Sequence, residues 1–338
     1  MNKIKKFWWA ILIIVFLLVY GAVNYCRLPG SLENRAVVEI SIPRGTSLNA
    51  FADSLQNKGI INHKALFLLW AKGCKFERSV PSGMFKVPVG LTIPQVIRYF
   101  RRAHPELISV TLIEGWPTKR ILKRLSKRLH LNYHILDSLA GDSLFVRTFK
   151  IPAKDVTGYL LPDTYVFASG ISEKEVLTFL IRKTLQLFKA DSVRQRMKIL
   201  GLNRHQILTL ASIVEGEAIL DRERPIIASV YLNRLRIGMR LQADPTIQFL
   251  LPDGPRRLRY RDLKIDSPYN TYLHKGLPPG PINNPGKKSI MAVLFAPKTK
   301  YLYFVAKGDG SHVFTRTARE HARAKRNLEK IRKRVYGY

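Results

Sequence analysis

The first part of the chain alternates between segments with strand and helix periodicity. VVEISIPRG, beginning at residue 37, has the period of two that is typical of a strand and ends in a turn. TSLNAFADSLQNKG predicts a helix with a Ser or Thr cap and a closing Gly59, and HKALFLLWAKG predicts a second helix. SGMFKVPVG then predicts a strand and TIPQVIRYFRR a third helix. We therefore expect a small α+β module at residues 37–103, of the size of a LysM-type wall-binding module.

The remainder, residues 104–338, predicts a larger α+β domain with its core at about 205–338. ELISVTLIEGW predicts a strand, and GYLLPDTYVFASG predicts turns. Helices are expected in a basic hairpin at about 118–140 and at 172–189, 191–200, 205–217 and 221–237. A stretch dense in Pro, Gly and Asn follows, and such long loops usually carry function. YLYFVAKGDGSHVFT predicts a β-hairpin turning at GDG, and TAREHARAKRNLEKIRKR predicts a terminal basic helix.

A run of 17 uncharged residues, Phe7–Val23, predicts a transmembrane anchor within residues 1–27. As a helix it spans about 25 Å, just enough to cross a hydrocarbon core. The competing interpretation is a cleaved signal peptide, but the run is longer than the usual apolar region and no small-residue cleavage site follows. Residues 28–36 are expected to form a linker.

Three lysines precede this run and few charges follow it; they are Lys3, Lys5 and Lys6. The positive-inside rule therefore leaves the N-terminus in the cytoplasm and the body outside it. We expect a single-pass protein of the bacterial cytoplasmic (inner) membrane with a periplasmic or extracytoplasmic body.

Composition adds a strong positive charge to this picture. The chain has 338 residues, 46% of them hydrophobic, which excludes a disordered protein. Lys and Arg number 57 against 24 Asp and Glu, a formal net charge of +33. Such a surface favours an anionic partner: nucleic acid, acidic lipid or a carboxylate-rich cell wall. The predicted location outside the cytoplasm argues against nucleic acid.

The candidate chemistry rests on carboxylates, because the sequence has no GxSxG, HExxH or GxxxxGK[ST] motif. In HQILTLASIVEGEA, Glu215 follows Leu208 and Ala211 at helical spacing and so projects from an apolar stripe. Desolvation disfavours the charged form, so we expect this carboxyl to hold a proton near neutral pH. Glu217 follows Leu210 in the same way, and patterning alone does not separate the two candidates.

Several ordered strings identify a resemblance that covers nearly the whole chain. They are IEGWP, LPDTY, LTLASIVEGEA, ERPIIASVYLNRLRIGMRLQADPT, SPYNTYLHKGLPPGPINNPG and YLYFVAKGDGSHVFT. Together with an anchor and a LysM-like module, they closely resemble the endolytic murein transglycosylase (MltG or YceG-like) family. In that family the glutamate of the SIVE string is the catalytic acid, which implies Glu215 here. Glu217 is then a neighbour of the catalytic acid with a role in substrate binding. Gly216 occupies a position at which relatives often have a charged residue.

The resemblance implies a lytic transglycosylase that cleaves the MurNAc–GlcNAc bond within peptidoglycan strands. The acid protonates the glycosidic oxygen, and its carboxylate then takes the proton of the muramic 6-hydroxyl, which closes a 1,6-anhydro ring. No cofactor or metal is needed, because the nucleophile is already attached to the sugar. The implied role is termination of nascent strands, with cell-wall synthases (penicillin-binding proteins) as further partners and no nucleic acid.

The loop strings are then expected to build the sugar cleft. The candidate substrate-binding residues are Glu217, Gln242, Asp244, Thr246, Tyr269, Asn270 and Tyr272. Alternatives remain: Asp244 could cap the turn before Pro245, the two tyrosines could be core aromatics, and GLPPGPINNPG could only shape a rigid loop. A non-catalytic peptidoglycan-binding scaffold of the same fold is the alternative function.

Overall fold

The computed structural model is an α+β protein, which confirms the predicted class. It describes residues 13–21, 36–76, 80–252, 254 and 256–336. Residues 13–21 are helical, and the rest of the predicted anchor lies outside the described residues, as does nearly all of the predicted linker. Among the residues that are described, no helix combines the length and the apolar character needed to cross a membrane.

The described chain divides into two compact units. The first runs to Ser109 and includes Val166–Ile171, and the second comprises Val110–Tyr165 and Ser172 onward. The division passes through two paired strands, β3 (Leu107–Thr111) and β4 (Thr164–Ala168). The boundary predicted between residues 103 and 104 stays a prediction.

The first unit contains every strand and helix expected in residues 37–103. In order they are β1 (Val37–Ile42), α1 (Leu48–Asn57), α2 (Lys64–Gly73), β2 (Gly83–Pro88) and α3 (Ile93–Arg102). The strands pair antiparallel, with Val37 opposite Pro88. Phe51 on α1 is fully buried and contacts the rings of Phe67 and Phe100, which joins all three helices in one core.

Strand β4 occupies the segment for which only turns were predicted. Its side chains alternate, because Tyr165 and Phe167 are buried whereas Val166 is exposed. This period of two marks a half-buried strand, but Gly and Pro in the preceding residues obscure so short a run. The prediction of turns was therefore incomplete.

The second unit is mainly helical. Its helices are α4 (Thr118–Leu129), α5 (Tyr133–Gly141), α6 (Ser143–Arg147), α7 (Glu173–Leu187), α8 (Asp191–Leu200), α9 (Arg204–Glu217), α10 (Arg224–Arg236), α11 (Asp244–Leu250), α12 (Lys287–Leu294) and α13 (Ala318–Tyr336). The hairpin expected at GDG is confirmed as β5 (Tyr303–Ala306) and β6 (His312–Thr315). Helices α11 and α12 lie in the stretch that was predicted to be loop.

Helix α9 forms the centre of this unit. Asn203 caps its start: the Asn203 side chain accepts from the Gln206 N–H, and the Gln206 side chain accepts from the Asn203 N–H. Residues 207–214 are all buried, and the helix packs against α10, α11 and α12. Because α9 is held on several sides, its C-terminal turn presents its acidic residues in a fixed position.

Candidate active site

Glu215 lies in the last turn of α9 and is almost completely enclosed, with 5% of its side chain exposed. Its Oε1 accepts a hydrogen bond from Arg224 Nη1 at 2.8 Å, and its Oε2 accepts one from the backbone N–H of Gly286 at 2.9 Å. The Glu215 side chain is therefore shielded from solvent, as its apolar helix face predicted. The bonding differs from the expected resting acid, because both contacts are donors and one is a guanidinium, the pattern of a carboxylate.

Arg224, the first residue of α10, connects Glu215 to its surroundings. Its Nη1 also donates to Ser289 Oγ at 2.6 Å, and its Nε donates to Asp221 Oδ1 at 2.9 Å. Asp221 is bound in addition by Lys288, and hydrogen bonds from Lys288 and Arg224 hold the pKa of Asp221 below its usual value. The guanidinium is thus fixed by a set of partners that the sequence analysis did not identify.

A second carboxyl, that of Glu114, lies on the other side of Gly286. A Cβ at position 286 would fall 2.1 Å from Glu114 Oε1, so the glycine allows this close approach. Glu114 Oε2 is 4.0 Å from Arg224 Nη2, and 40% of the Glu114 side chain is exposed. Burial raises the pKa of Glu114, the charge of Glu215 raises it further, and Arg224 opposes both.

A cavity of about 900 Å³ opens beside this group. Its wall includes Gly115, and a Cβ there would lie 3.4 Å from Glu215 Cγ, so Glu215 stands directly behind the wall. Other residues of the wall are Trp116, Thr118, Asp155, Thr157, Gly216, Glu217, Asp244, Pro245, Gln248, Phe249 and Asn283. Gly216 also lets α11 approach, since a Cβ there would be 2.7 Å from Pro245 Cβ.

Two of the predicted residues, Glu217 and Asp244, line the cavity. Glu217 Oε1 accepts from the Tyr231 hydroxyl at 2.7 Å, and Asp244 Oδ1 accepts from the Tyr272 hydroxyl. Burial raises the pKa of Glu217 to about 7, and the Asp244 charge adds to this effect, whereas the Tyr231 hydrogen bond lowers it. Asp244 is the first residue of α11 and lies in its first turn.

The other predicted residues support the loops around the cavity. Thr246 is fully buried, and its hydroxyl donates to the Ala243 carbonyl at 2.7 Å. The buried Asn270 amide donates to the backbone oxygens of residues 263 and 265, and the Tyr269 ring packs against Phe249 at an interplanar angle of 42°, with ring centroids 4.9 Å apart. Gln242 is exposed and adopts a left-handed backbone conformation, φ 49°. Their roles in substrate binding stay predictions.

The two asparagines of the PINNPG string, Asn283 and Asn284, were not among the predicted site residues. Asn284 is fully buried: its Oδ1 accepts from the Gly158 and Leu160 N–H groups, and its Nδ2 donates to the Trp116 carbonyl. It therefore joins three segments around the site. The neighbouring Asn283 donates through Nδ2 to the Ser212 carbonyl at 2.9 Å.

The Oδ1 of Asn283 is buried and has no hydrogen-bond partner among the described residues. Its Nδ2 contact with a carbonyl fixes which end of the amide is the oxygen. Asn283 is thus a residue of the cavity wall whose Oδ1 is buried and unused as an acceptor among the described residues. No group of three or more His, Cys, Asp or Glu side chains in the described chain is placed to hold a metal ion. Carboxyl groups at the site, among them those of Glu215 and Glu217, are groups that can transfer protons.

Comparison with known proteins identifies relatives of the whole chain. An endolytic murein transglycosylase of Bacillus subtilis is 32% identical over 335 residues, which cover 91% of this chain and 90% of the relative. One from Streptococcus pneumoniae is 25% identical, and the match covers 90% of this chain and 62% of that protein.

The fold has a solved counterpart as well. The crystal structure of a YceG-like protein from Listeria monocytogenes aligns with a TM-score of 0.58 and 29% identity, covering 86% of this chain and 99% of that one. The profile of the YceG-like family matches residues 40–327. The resemblance noted in the sequence is therefore confirmed, and the chain belongs to the YceG-like family.

Proposed function

We propose that this protein is a lytic transglycosylase that cleaves the MurNAc–GlcNAc bond within peptidoglycan strands and leaves 1,6-anhydro-MurNAc ends. The observation that carries the proposal is the enclosed carboxyl of Glu215 directly behind the wall of a 900 Å³ cavity. The cavity has the size of a site for a small ligand. The names of the relatives from Bacillus and Streptococcus support the substrate class.

In the proposed reaction Glu215 acts twice. As an acid it gives a proton to the glycosidic oxygen while the bond from that oxygen to the muramic anomeric carbon breaks. The oxygen of the muramic 6-hydroxyl then bonds to the same carbon, and its proton passes to the Glu215 carboxylate. The ion pair with Arg224 stabilises Glu215 in this second, charged state.

The cavity offers groups suited to an N-acetylated sugar. Trp116 and Phe249 supply apolar ring faces, and Asp244 supplies a carboxylate. Asn283 supplies the buried Oδ1 that has no partner among the described residues. An N-acetyl group carries one amide N–H, and we assign Asn283 Oδ1 as its acceptor, because an unpaired buried acceptor gains a full hydrogen bond on binding.

The setting of the reaction belongs to the same proposal. The run Phe7–Val23 holds the protein in the cytoplasmic membrane with the body outside, and the module at 37–103 is a LysM-like contact to the wall. This location supports a role in terminating nascent strands beside cell-wall synthases. Deleting residues 7–23 should release the protein from the membrane fraction, and retention would contradict the anchor.

The activity is tested by incubating the full chain, in detergent, with purified peptidoglycan. Mass spectrometry should detect muropeptides that lack one water relative to hydrolysed ends. Glu215→Gln should abolish them, whereas Glu329→Gln, an exposed glutamate of α13, should not. Binding of peptidoglycan without any anhydro product would instead indicate a non-catalytic scaffold.

A further inference from the structure

The ionised groups around Arg224 do not balance. Two cations, Arg224 and Lys288, face three carboxyl groups, those of Glu114, Asp221 and Glu215. If all three carboxyls are ionised, the cluster carries one net negative charge in a partly enclosed place. If one carboxyl holds a proton, the cluster is neutral. A neutral cluster has a smaller desolvation free energy than a charged one where water is scarce.

Geometry indicates which carboxyl holds that proton. Glu215 contacts the Arg224 guanidinium directly, and Asp221 is bound by both Arg224 and Lys288. Glu114 has only the longer 4.0 Å approach to Arg224. Burial raises the pKa of Glu114 and the charge of Glu215 adds to it, so the direction of its pKa shift agrees with the geometry.

Glu114 is also close enough to Glu215 to act with it. The carboxyl of Glu114 lies where a side chain of Gly286 would be, and the N–H of Gly286 donates to Glu215 Oε2. The two glutamates therefore flank one glycine and face one guanidinium. Two ionised carboxyl groups placed in this way repel each other, which disfavours ionisation of both at once.

We propose that Glu114 is a positioning residue for Glu215: the two share one proton, which rests on Glu114 while Glu215 pairs with Arg224 and moves to Glu215 for cleavage. This inference rests on the proposed function. Glu215 gives the proton to the leaving oxygen, and the 6-hydroxyl returns one proton as the anhydro ring closes. The pair ends with the single proton it began with, so no further reactant is required.

The first test is the pH dependence of glycan cleavage by the full chain. Glu114→Gln cannot hold the shared proton, so kcat at pH 7 should fall about tenfold or more with KM within about twofold. The alkaline limb of the kcat profile should move to lower pH, and Glu114→Asp should restore part of the shift. Glu329→Gln, at an exposed position of α13, is the matched control. A loss of kcat that is the same at every pH, with the alkaline limb at its original pH, overturns the inference.

A second variant, Gly286→Ala, disturbs the pair of Glu114 and Glu215 without replacing either glutamate. The side chain in Gly286→Ala would displace the Glu114 carboxyl, whose end is free to move into solvent. It should reproduce the alkaline shift of Glu114→Gln, and the double variant should be no slower than the slower single variant. Additive losses in the double variant would contradict a shared role.

The third test needs no activity. In protein labelled with ¹³C at the glutamate carboxyls, the Glu114 resonance should titrate at lower pH in Glu215→Gln than in the unaltered chain. The substitution removes a like charge and frees Arg224, and both changes favour ionised Glu114. An unchanged Glu114 titration contradicts the pair alone, whereas absence of anhydro product from the unaltered chain contradicts the proposed function.

Discussion

Glu215 and Arg224 form an ion pair of 2.8 Å in which 5% and 8% of the two side chains are exposed. Few ion pairs on a protein are so enclosed, and neither member can return to water if the other is removed. The helix end that carries Glu215 and the helix start that carries Arg224 are thereby joined at the site itself.

Removal of Arg224 is expected to destabilise the fold as well as the reaction. Arg224→Ala leaves Glu215 buried without its cation, so the free energy of unfolding should fall by about 3 kcal/mol or more. Arg194→Ala is the control, because its pair with Asp191 is exposed and should contribute less than about 1 kcal/mol. Urea unfolding at pH 7 measures both, and equal losses would contradict the prediction.

Stability should depend on pH through Glu217. Burial raises the pKa of Glu217 from 4.5 to about 7, so between these values the folded protein keeps a proton that the unfolded chain has lost. The contribution of Glu217 is therefore fully present below about pH 4.5 and is lost as pH rises through 7. Urea unfolding should show that the free energy of unfolding varies less with pH in Glu217→Gln than in the unaltered chain. The same pH dependence in both proteins would exclude the effect.

Asn283 is expected to act on substrate binding. Asn283→Ala removes the unused acceptor, so KM for glycan strands should rise about tenfold with little change in kcat. Steady-state kinetics on purified strands measure this split. Asn327→Ala, an exposed asparagine of α13, should leave KM unaltered. A fall in kcat alone would place the side chain outside the binding site.

Asn284 is expected to act on stability. Asn284→Ala leaves two buried N–H groups, those of Gly158 and Leu160, without an acceptor. The free energy of unfolding should fall by about 3 kcal/mol. Asn57→Ala, at an exposed helix end, should change it by less than about 0.5 kcal/mol. Thermal and urea unfolding measure both, and similar values would contradict the prediction.

Periodicity predicted most of the elements because most are amphipathic and begin with a capping residue. It missed β4 and α6, which are short, and it missed α11 and α12, which follow Ala243 and Gly286 in a stretch dense in turn residues. Both of these helices are brief and are held by packing against α9, a stabilisation that no local pattern contains.

The sequence by itself determined the α+β class, the order of the main elements, the family and the glutamate that ends the SIVE string as the leading candidate. These follow from local periodicity and from long ordered motifs. Only the tertiary structure decided that Glu215 is paired with Arg224, that Glu114 lies beside it, and that Asn283 is a cavity-wall residue with a buried Oδ1 that no described group binds. Residues 114, 215 and 286 are distant along the chain, and side chains so separated acquire common electrostatics only when packing brings them together.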